Sequence, residues 1–152
     1  MKKILILNTG GTFNKIYDEI SGKLYVAKHN LALKKIIKTS KLSNIKIDGL
    51  IYKDSLDITK KDRKKLVSYI HKSDFDNIII VHGTDTIDKT ASYLDKYIIN
   101  KQIILTGAMK PFSINNIEAV SNLMSGYGYM QSNKKNGIYI YLCTVLSLNT
   151  TK

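Results

Sequence analysis

Short apolar runs alternate with longer amphipathic stretches along the whole chain. Five runs rich in apolar and β-branched residues predict strands, at residues 4–7, 45–52, 77–81, 102–105 and 137–143. Four stretches with apolar residues at helical spacing predict helices, at residues 31–37, 59–71, 87–98 and 117–130. Because strands that alternate with helices form βαβ units, the pattern predicts an α/β domain with an open, mainly parallel sheet and helices on both faces.

The start of the second predicted helix carries a chemical signature. Thr59 is followed three residues later by Asp62, a spacing that resembles a capping box, in which each side chain binds the other residue's backbone N–H. Leu66 and Ile70 then fall on one side of the helix. We expect this apolar side to pack on the sheet.

Length and composition indicate a single domain, residues 1–152, with a substantial hydrophobic core. The chain is 43% hydrophobic, and no Pro/Gly-rich linker or internal repeat divides its 152 residues. The first apolar run has only four residues, too short for a secretory signal, and no run approaches the length of a membrane span. Cys143 is the only cysteine, so no intrachain disulfide can form. We therefore expect a cytoplasmic protein with no membrane partner.

The net charge of +12 raises the question of an anionic partner such as nucleic acid. The excess is almost all lysine, and Arg63 is the only arginine. Because arginine is preferred for bidentate contacts with phosphates and guanine edges, its scarcity argues against nucleic acid, and the lysines are interpreted as solvated surface. Three histidines are scattered along the chain and Cys143 lacks a cysteine partner, so no metal site is predicted.

Four polar or glycine-rich segments follow the carboxyl ends of predicted strands, where open α/β sheets place their ligand crevice. They are residues 9–12 (TGGT), 54–57 (DSLD), 82–86 (HGTDT) and 106–111 (TGAMKP). Taken singly, each has a plainer interpretation. Gly10 and Gly11 predict only a turn, and they lack the third glycine of a dinucleotide-binding fingerprint. Thr84 or Asp85 could cap the helix that follows, a role compatible with a site.

Together, and in this order, the four segments resemble the bacterial-type L-asparaginase and glutaminase family. The HGTDT segment after an apolar strand is the most specific of them, and the similarity covers essentially the whole chain as the family's N-terminal catalytic domain. The resemblance implies a Rossmann- or flavodoxin-like version of the predicted fold. It also implies an amidohydrolase that acts on L-asparagine or a related small amide without a cofactor.

The resemblance implies that Thr12 is the primary nucleophile and that Tyr25, from the loop that follows, assists it. A threonine hydroxyl is a poor nucleophile at neutral pH, so a neighbouring base or proton relay must activate it. Tyr17 lies in the same predicted loop, and the choice between the two tyrosines stays open. The spacing from Thr12 favours Tyr25.

By the same resemblance, Thr84, Asp85 and a lysine form a second, triad-like group that moves protons. Allowing small gaps, the lysine position matches Lys152, the last residue.

The remaining implied roles concern substrate binding. Gly11 and Gly83 let the backbone approach the ligand, so that amide N–H groups stabilise an oxyanion. Ser55 binds the substrate α-carboxylate, and Asp85 also attracts the α-ammonium group.

Two features depart from the family pattern, and both keep a second function open. The C-terminal domain that usually accompanies this domain is absent from the sequence, and Leu56 stands where members usually carry a polar substrate-binding residue. A small-amino-acid binder, acting as a sensor or as part of an amidotransferase, is therefore the alternative to an enzyme.

The helix at residues 117–130 leads to a prediction about assembly. It carries more apolar side chains than one face of a small sheet has to cover, namely Ala119, Leu123, Met124 and Tyr127. Exposed apolar patches usually mark interfaces, so we expect a homo-oligomer.

Overall fold

A computed structural model describes residues 1–142 of the chain. The strands of this part are β1 (Ile4–Gly10), β2 (Lys15–Asp18), β3 (Lys23–Val26), β4 (Ile45–Lys53), β5 (Asn77–Val81), β6 (Gln102–Thr106) and β7 (Gly137–Ile140). The α-helices are α1 (Leu31–Thr39), α2 (Lys60–Lys72), α3 (Ile87–Tyr97) and α4 (Asn116–Ser132).

Five of the strands form one sheet in the order β4-β1-β5-β6-β7, and every neighbouring pair is parallel. The chain runs from β1 outward to β4 and then returns to the other side of β1 to place β5. The strand order therefore reverses at β1 and β5, and the crevice beyond the carboxyl ends of these two strands is where such sheets bind ligands. The predicted α/β fold, with a mainly parallel sheet, is confirmed.

Side chains along the central strands alternate between two hydrophobic clusters, one on each face of the sheet. Ile4 and Ile6 of β1 join the cluster that contains the buried residues of α1 and α4. Leu5 and Leu7 join the cluster that contains those of α2 and α3. Because successive side chains of a strand point to opposite faces, a continuous apolar run serves both clusters. The prediction of helices on both faces is confirmed.

Two local predictions about helices can be compared with the structure. The capping box of α2 is present, with the Thr59 side chain and the Asp62 side chain each accepting a hydrogen bond from the other's backbone N–H. The apolar side chains of α4 give a different result. Ala119 and Leu123 are buried, and Met124 and Tyr127 are partly buried against the same cluster. The prediction that these side chains of α4 are surplus is wrong, because they pack against the core. Homo-oligomerisation itself stays a prediction.

The segment between β1 and α1, predicted as a loop, contains an antiparallel hairpin. Strands β2 and β3 pair with Ile16 opposite Tyr25 and Tyr17 opposite Leu24. Gly22 has a φ of 69°, which suits glycine, and its N–H donates to the Asp18 carbonyl across the turn at 2.8 Å. Four-residue strands in which no residue is fully buried carry little apolar pattern, which is why the sequence did not indicate them.

Several boundaries also shift. Strand β1 extends three residues beyond its predicted end, and β7 ends at Ile140 within the described residues. Residue 143, the predicted end of this strand, lies outside them. In residues 1–142 no helix has the length and apolar character needed to span a membrane.

Candidate functional site

Three of the four segments meet at glycines beyond the carboxyl end of the sheet. Gly11 has a φ of 74°, and a Cβ atom placed on it would lie 2.4 Å from the Gly83 backbone nitrogen. A Cβ on Gly83 would in turn lie 2.6 Å from the Ser55 Cβ and 2.7 Å from its Oγ. The segments after β1, β4 and β5 are thus in direct contact, at separations that only glycine permits.

The segment after β6 completes this cluster. A Cβ on Gly107 would lie 2.2 Å from the His82 carbonyl oxygen and 3.4 Å from Cγ2 of Thr84. The Thr84 hydroxyl donates to the sulfur of Met109 at 3.3 Å. The Asn122 side chain in α4 donates to the Gly107 carbonyl at 2.7 Å and holds the loop from behind.

Ser55 is buried where these segments touch. Its side-chain oxygen has no hydrogen-bond partner among residues 1–142. Its backbone carbonyl accepts a hydrogen bond from the Thr86 hydroxyl at 2.8 Å, so the position of Ser55 is fixed from the neighbouring loop. A buried hydroxyl without a partner is unusual in a folded protein and marks a site that a ligand can satisfy.

Thr12 begins a single 3₁₀ turn directly after the glycine pair, and its side chain is half-buried. The Gly11 N–H donates to the Lys53 carbonyl at 2.9 Å, which ties the turn to the end of β4. The next residue, Phe13, is fully buried, and the Asn14 amide donates to the Ala27 carbonyl at 2.8 Å. Thr12 is therefore held between an anchored glycine and a buried aromatic ring.

An ion pair links this turn to the Ser55 segment. The Lys15 ammonium lies 2.7 Å from a carboxylate oxygen of Asp54, and both side chains are partly shielded from solvent. The hydrogen bond from Lys15 lowers the pKa of the Asp54 carboxyl below its ordinary value, with a further contribution from the Leu56 N–H. The contact joins the first residue of β2 to the residue that precedes Ser55.

Thr84 and Asp85 do not cap helix α3. They lie in a 3₁₀ turn, and the N-cap position of α3 belongs to Thr86, whose side chain makes no capping hydrogen bond. Thr84 is half-buried and Asp85 is exposed. The capping interpretation of these two residues was wrong, and their side chains are available to a site. Lys152, the predicted third member of the group, lies outside the described residues.

The two tyrosines of the hairpin occupy opposite faces. Directly paired residues of antiparallel strands share a face, so Tyr25 lies with Ile16, while Tyr17 lies with Leu24. Both tyrosines are about half exposed, Tyr25 at 50% and Tyr17 at 55%. A ligand bound on one face of the hairpin can therefore contact only one of the two tyrosines. The structure separates the two candidates without assigning a role to either.

His82 is the most deeply buried titratable residue near these segments. Its Nδ1 lies 2.7 Å from the Gly83 carbonyl oxygen, and its Nε2 lies 2.8 Å from the Thr90 hydroxyl. The Thr90 hydroxyl also accepts a hydrogen bond from Nε of Arg63 at 2.9 Å. Burial lowers the pKa of His82 to about 4, so the ring is neutral at physiological pH.

Two residues near the site could not be recognised from the sequence as contributors to it, namely Arg63 and Thr90. They belong to two helices that pack together, so nothing in their local pattern distinguishes them from ordinary surface or core positions. The only available signal was that Arg63 is the single arginine. The structure groups no three metal-ligating side chains anywhere in residues 1–142.

The chain is similar to known proteins of one family. The family profile described as "Asparaginase, N-terminal" matches residues 3–147. The L-asparaginase of Thermococcus kodakarensis is 28% identical over 152 residues, which cover 97% of this chain and 46% of that protein. Its solved structure superposes with a TM-score of 0.77 over 93% of this chain and 44% of that one.

The chain is similar to two further proteins. A probable cytoplasmic L-asparaginase from Campylobacter jejuni has the same fold, with a TM-score of 0.78 at 24% identity over 93% of this chain. One component of a glutamyl-tRNA(Gln) amidotransferase from Methanosphaera stadtmanae is 31% identical over 86% of this chain and 31% of its own length. The chain spans less than half the length of each of these relatives. By its matched segments and its fold, the chain belongs to the asparaginase family and corresponds to that family's N-terminal region.

Proposed function

We propose that this chain supplies the catalytic half of an amidohydrolase that releases ammonia from the side-chain amide of L-asparagine or a related small amide. The relatives named L-asparaginase support the reaction class. The contact between the glycine-rich segments supports the location of the proposed site, because this contact lies at the strand-order reversal, where α/β sheets bind ligands. No cofactor is needed for this reaction.

The observation that carries the proposal is the buried Ser55 hydroxyl, which has no partner among the described residues. A substrate α-carboxylate would accept its hydrogen bond and remove the cost of an unpaired buried donor. The absence of a Cβ on Gly11 and Gly83 brings three segments together around this hydroxyl, because Gly11 contacts Gly83 and Gly83 contacts Ser55. Substrate recognition would thus satisfy a buried polar atom that lacks a partner among residues 1–142.

In the proposed reaction, the Thr12 hydroxyl attacks the amide carbon, ammonia leaves, and water then releases the acid from Thr12. Tyr25 assists the proton transfers at Thr12. Thr84 and Asp85 form the second group together with a lysine, for which Lys152 is the candidate in this sequence. Asp85 is exposed, which suits a carboxylate that attracts the α-ammonium group of a substrate entering from solvent.

The chain matches only about 46% of the Thermococcus relative. The localisation and the oligomeric state of the protein are therefore proposals as well. We propose a cytoplasmic protein that forms a homo-oligomer. Leu56, which is 73% exposed beside the site, and Met109, which is 60% exposed on the loop after β6, are the apolar side chains that support a further contact there.

The second candidate is a binder of a small amino acid without efficient turnover, as a sensor or as part of an amidotransferase. Leu56 favours it, because this exposed side chain cannot hydrogen-bond a substrate. The resemblance to the amidotransferase component of Methanosphaera favours it as well. Both candidates use the same Ser55 hydroxyl, so binding alone does not distinguish them.

The experiment that separates the two measures ammonia release from L-asparagine, L-glutamine and other small amides, together with binding of L-aspartate. The variants are Thr12→Ala and Thr84→Ala, and Thr39→Ala is the control because this threonine is exposed at the end of α1. For an enzyme, both site variants lose nearly all turnover at an unchanged fold, while the control does not. Binding without turnover identifies the second candidate. Wild-type turnover in Thr12→Ala rejects the nucleophile.

A further inference from the structure

The hydrogen bonds around His82 permit only one arrangement of protons. The Gly83 carbonyl can only accept, so Nδ1 of the ring carries the hydrogen. The neutral ring then has no hydrogen on Nε2, so Nε2 accepts from the Thr90 hydroxyl, whose oxygen in turn accepts from Nε of Arg63. Every bond of the series Arg63–Thr90–His82–Gly83 is satisfied when His82 is the neutral Nδ1–H tautomer.

This series ends on a peptide group that belongs to the site. The residues described contain no cis peptide bond, so the carbonyl of Gly83 and the N–H of Thr84 point in opposite directions across one rigid plane. Fixing the Gly83 carbonyl therefore fixes the direction of the Thr84 N–H and the start of the turn that carries the Thr84 and Asp85 side chains. Gly83 needs such a restraint, because a glycine backbone rotates more freely than any other.

The geometry points to His82 as a positioning residue, with Thr90 and Arg63 holding its ring in place and the ring fixing the peptide plane between Gly83 and Thr84. Arg63 lies in α2 and Thr90 in α3. Two helices on one face of the sheet therefore restrain the position of the site without being part of it. None of the three side chains needs to touch substrate. The inference rests on the proposed function for its effect on turnover, but its structural part does not.

The competing explanation is that His82 only fills space in the core. The two explanations differ in what the Thr90 hydroxyl does. Thr90→Val keeps the volume of the side chain and removes the hydroxyl, whereas Thr90→Ser keeps the hydroxyl and removes a methyl group. If the ring is positioned through Thr90, we expect kcat to fall about tenfold in Thr90→Val with KM changed much less, since small displacements of catalytic groups are costly. Thr90→Ser should recover most of that loss.

A second pair of variants tests the ring itself. An asparagine amide nitrogen lies close to the position of Nδ1, so His82→Asn can still donate to the Gly83 carbonyl. In His82→Gln the amide lies near the position of Nε2 and cannot. We expect both variants to lose stability, because both leave space in the core, and His82→Asn to keep several-fold more kcat than His82→Gln.

Ring nitrogen NMR makes the test independent of turnover. The chain has three histidines, and the His82 signals are assigned by their loss in His82→Asn. We expect the wild-type ring to be the Nδ1–H tautomer, and we expect Thr90→Val, which removes the donor to Nε2, to shift the Nε2 resonance and the Thr84 amide resonance. An Nε2–H ring in the wild type would overturn the inference. So would a Thr84 amide that Thr90→Val leaves unmoved, or equal kcat in Thr90→Val and Thr90→Ser.

The NMR result also separates the two proposals. If the wild-type protein releases no ammonia from any amide tested, the proposed enzyme fails, while the ring tautomer and the Thr84 amide shift still decide the positioning role. If turnover is present and the tautomer is wrong, only the positioning role fails.

Discussion

The hydroxyls of the proposed site lie in two regions built in opposite ways. Thr12, Ser55 and Thr84 stand on loops beyond the sheet whose backbones touch at glycines and whose neighbours are buried. Tyr25 stands on a hairpin that has no fully buried residue in its two short strands, which pair with each other. The loops that carry Thr12, Ser55 and Thr84 form one rigid region. The hairpin is joined to this rigid region mainly at its base. Local stability follows burial, so we expect the hairpin to open more readily than the loops.

The largest expected effect comes from adding one methyl group to the rigid region. In Gly11→Ala the new Cβ meets the Gly83 backbone, and the φ of 74° becomes strained. We expect the free energy of unfolding to fall by about 3 kcal/mol or more, from overpacking and left-handed strain together, with turnover abolished. Denaturant unfolding and the ammonia assay measure both.

Gly128 provides the matched control for this change. It lies in helix α4, is exposed, and has no atom within 4 Å of the position that a Cβ would take. Gly128→Ala should raise the free energy of unfolding by about 0.5–1 kcal/mol, the usual gain of alanine over glycine inside a helix. Similar effects of the two substitutions would contradict the close contact between Gly11 and Gly83.

The next effect is a pH dependence confined to the rigid region. The pKa of His82 is lowered from 6.5 to about 4 in the folded protein, so the unfolded chain takes up the proton first as the pH falls. His82 contributes no pH dependence above pH 6.5. Between about pH 6.5 and 4, we expect it to reduce the free energy of unfolding by about 3 kcal/mol. Urea unfolding across this range measures the slope.

Two variants assign that slope to one residue. His82→Asn is less stable at neutral pH but should lose the part of the slope that comes from the ring. His71→Asn, at an exposed position in α2, should keep it. An unchanged slope in His82→Asn would show that the buried ring is not its source.

A smaller effect is expected where the two regions join. Lys15→Met removes the ion pair with Asp54, which ties the base of the hairpin to the Ser55 loop. Both groups are partly exposed, so we expect a loss of about 1 kcal/mol or less in the free energy of unfolding. Because Lys15 lowers the pKa of Asp54, its contribution is present above the ordinary pKa of the carboxyl and is lost as the pH falls through the lowered value. High salt should mimic the substitution.

The smallest effect on folding is expected in the hairpin itself. Tyr25→Phe and Tyr17→Phe should each change the free energy of unfolding by less than about 0.5 kcal/mol, because both side chains are about half exposed. Their effects on turnover should differ. Tyr25→Phe should reduce kcat about tenfold or more, as loss of a proton-transfer group does, while Tyr17→Phe should have little effect. The opposite result would move the role to Tyr17 and to the other face of the hairpin.

The sequence by itself determined the elements of the sheet and the general place of the site. Continuous apolar runs such as residues 77–81 predict strands buried on both faces, because each alternate side chain needs a hydrophobic partner. Polar segments that follow parallel strands must then meet at one edge of the sheet. The capping box of α2 was predictable for a similar reason, since Thr59 and Asp62 are near neighbours in the chain.

Only the tertiary structure decided which of these residues touch and how. The contact of Gly11 with Gly83, the burial of the Ser55 hydroxyl and the series from Arg63 through Thr90 to His82 join residues far apart in the chain. The hairpin and the separation of Tyr17 from Tyr25 depend on pairing register, which short exposed strands do not encode. Periodicity reports which side of an element is buried. Contacts between elements depend on how those sides are packed, and that is settled only when the whole domain folds.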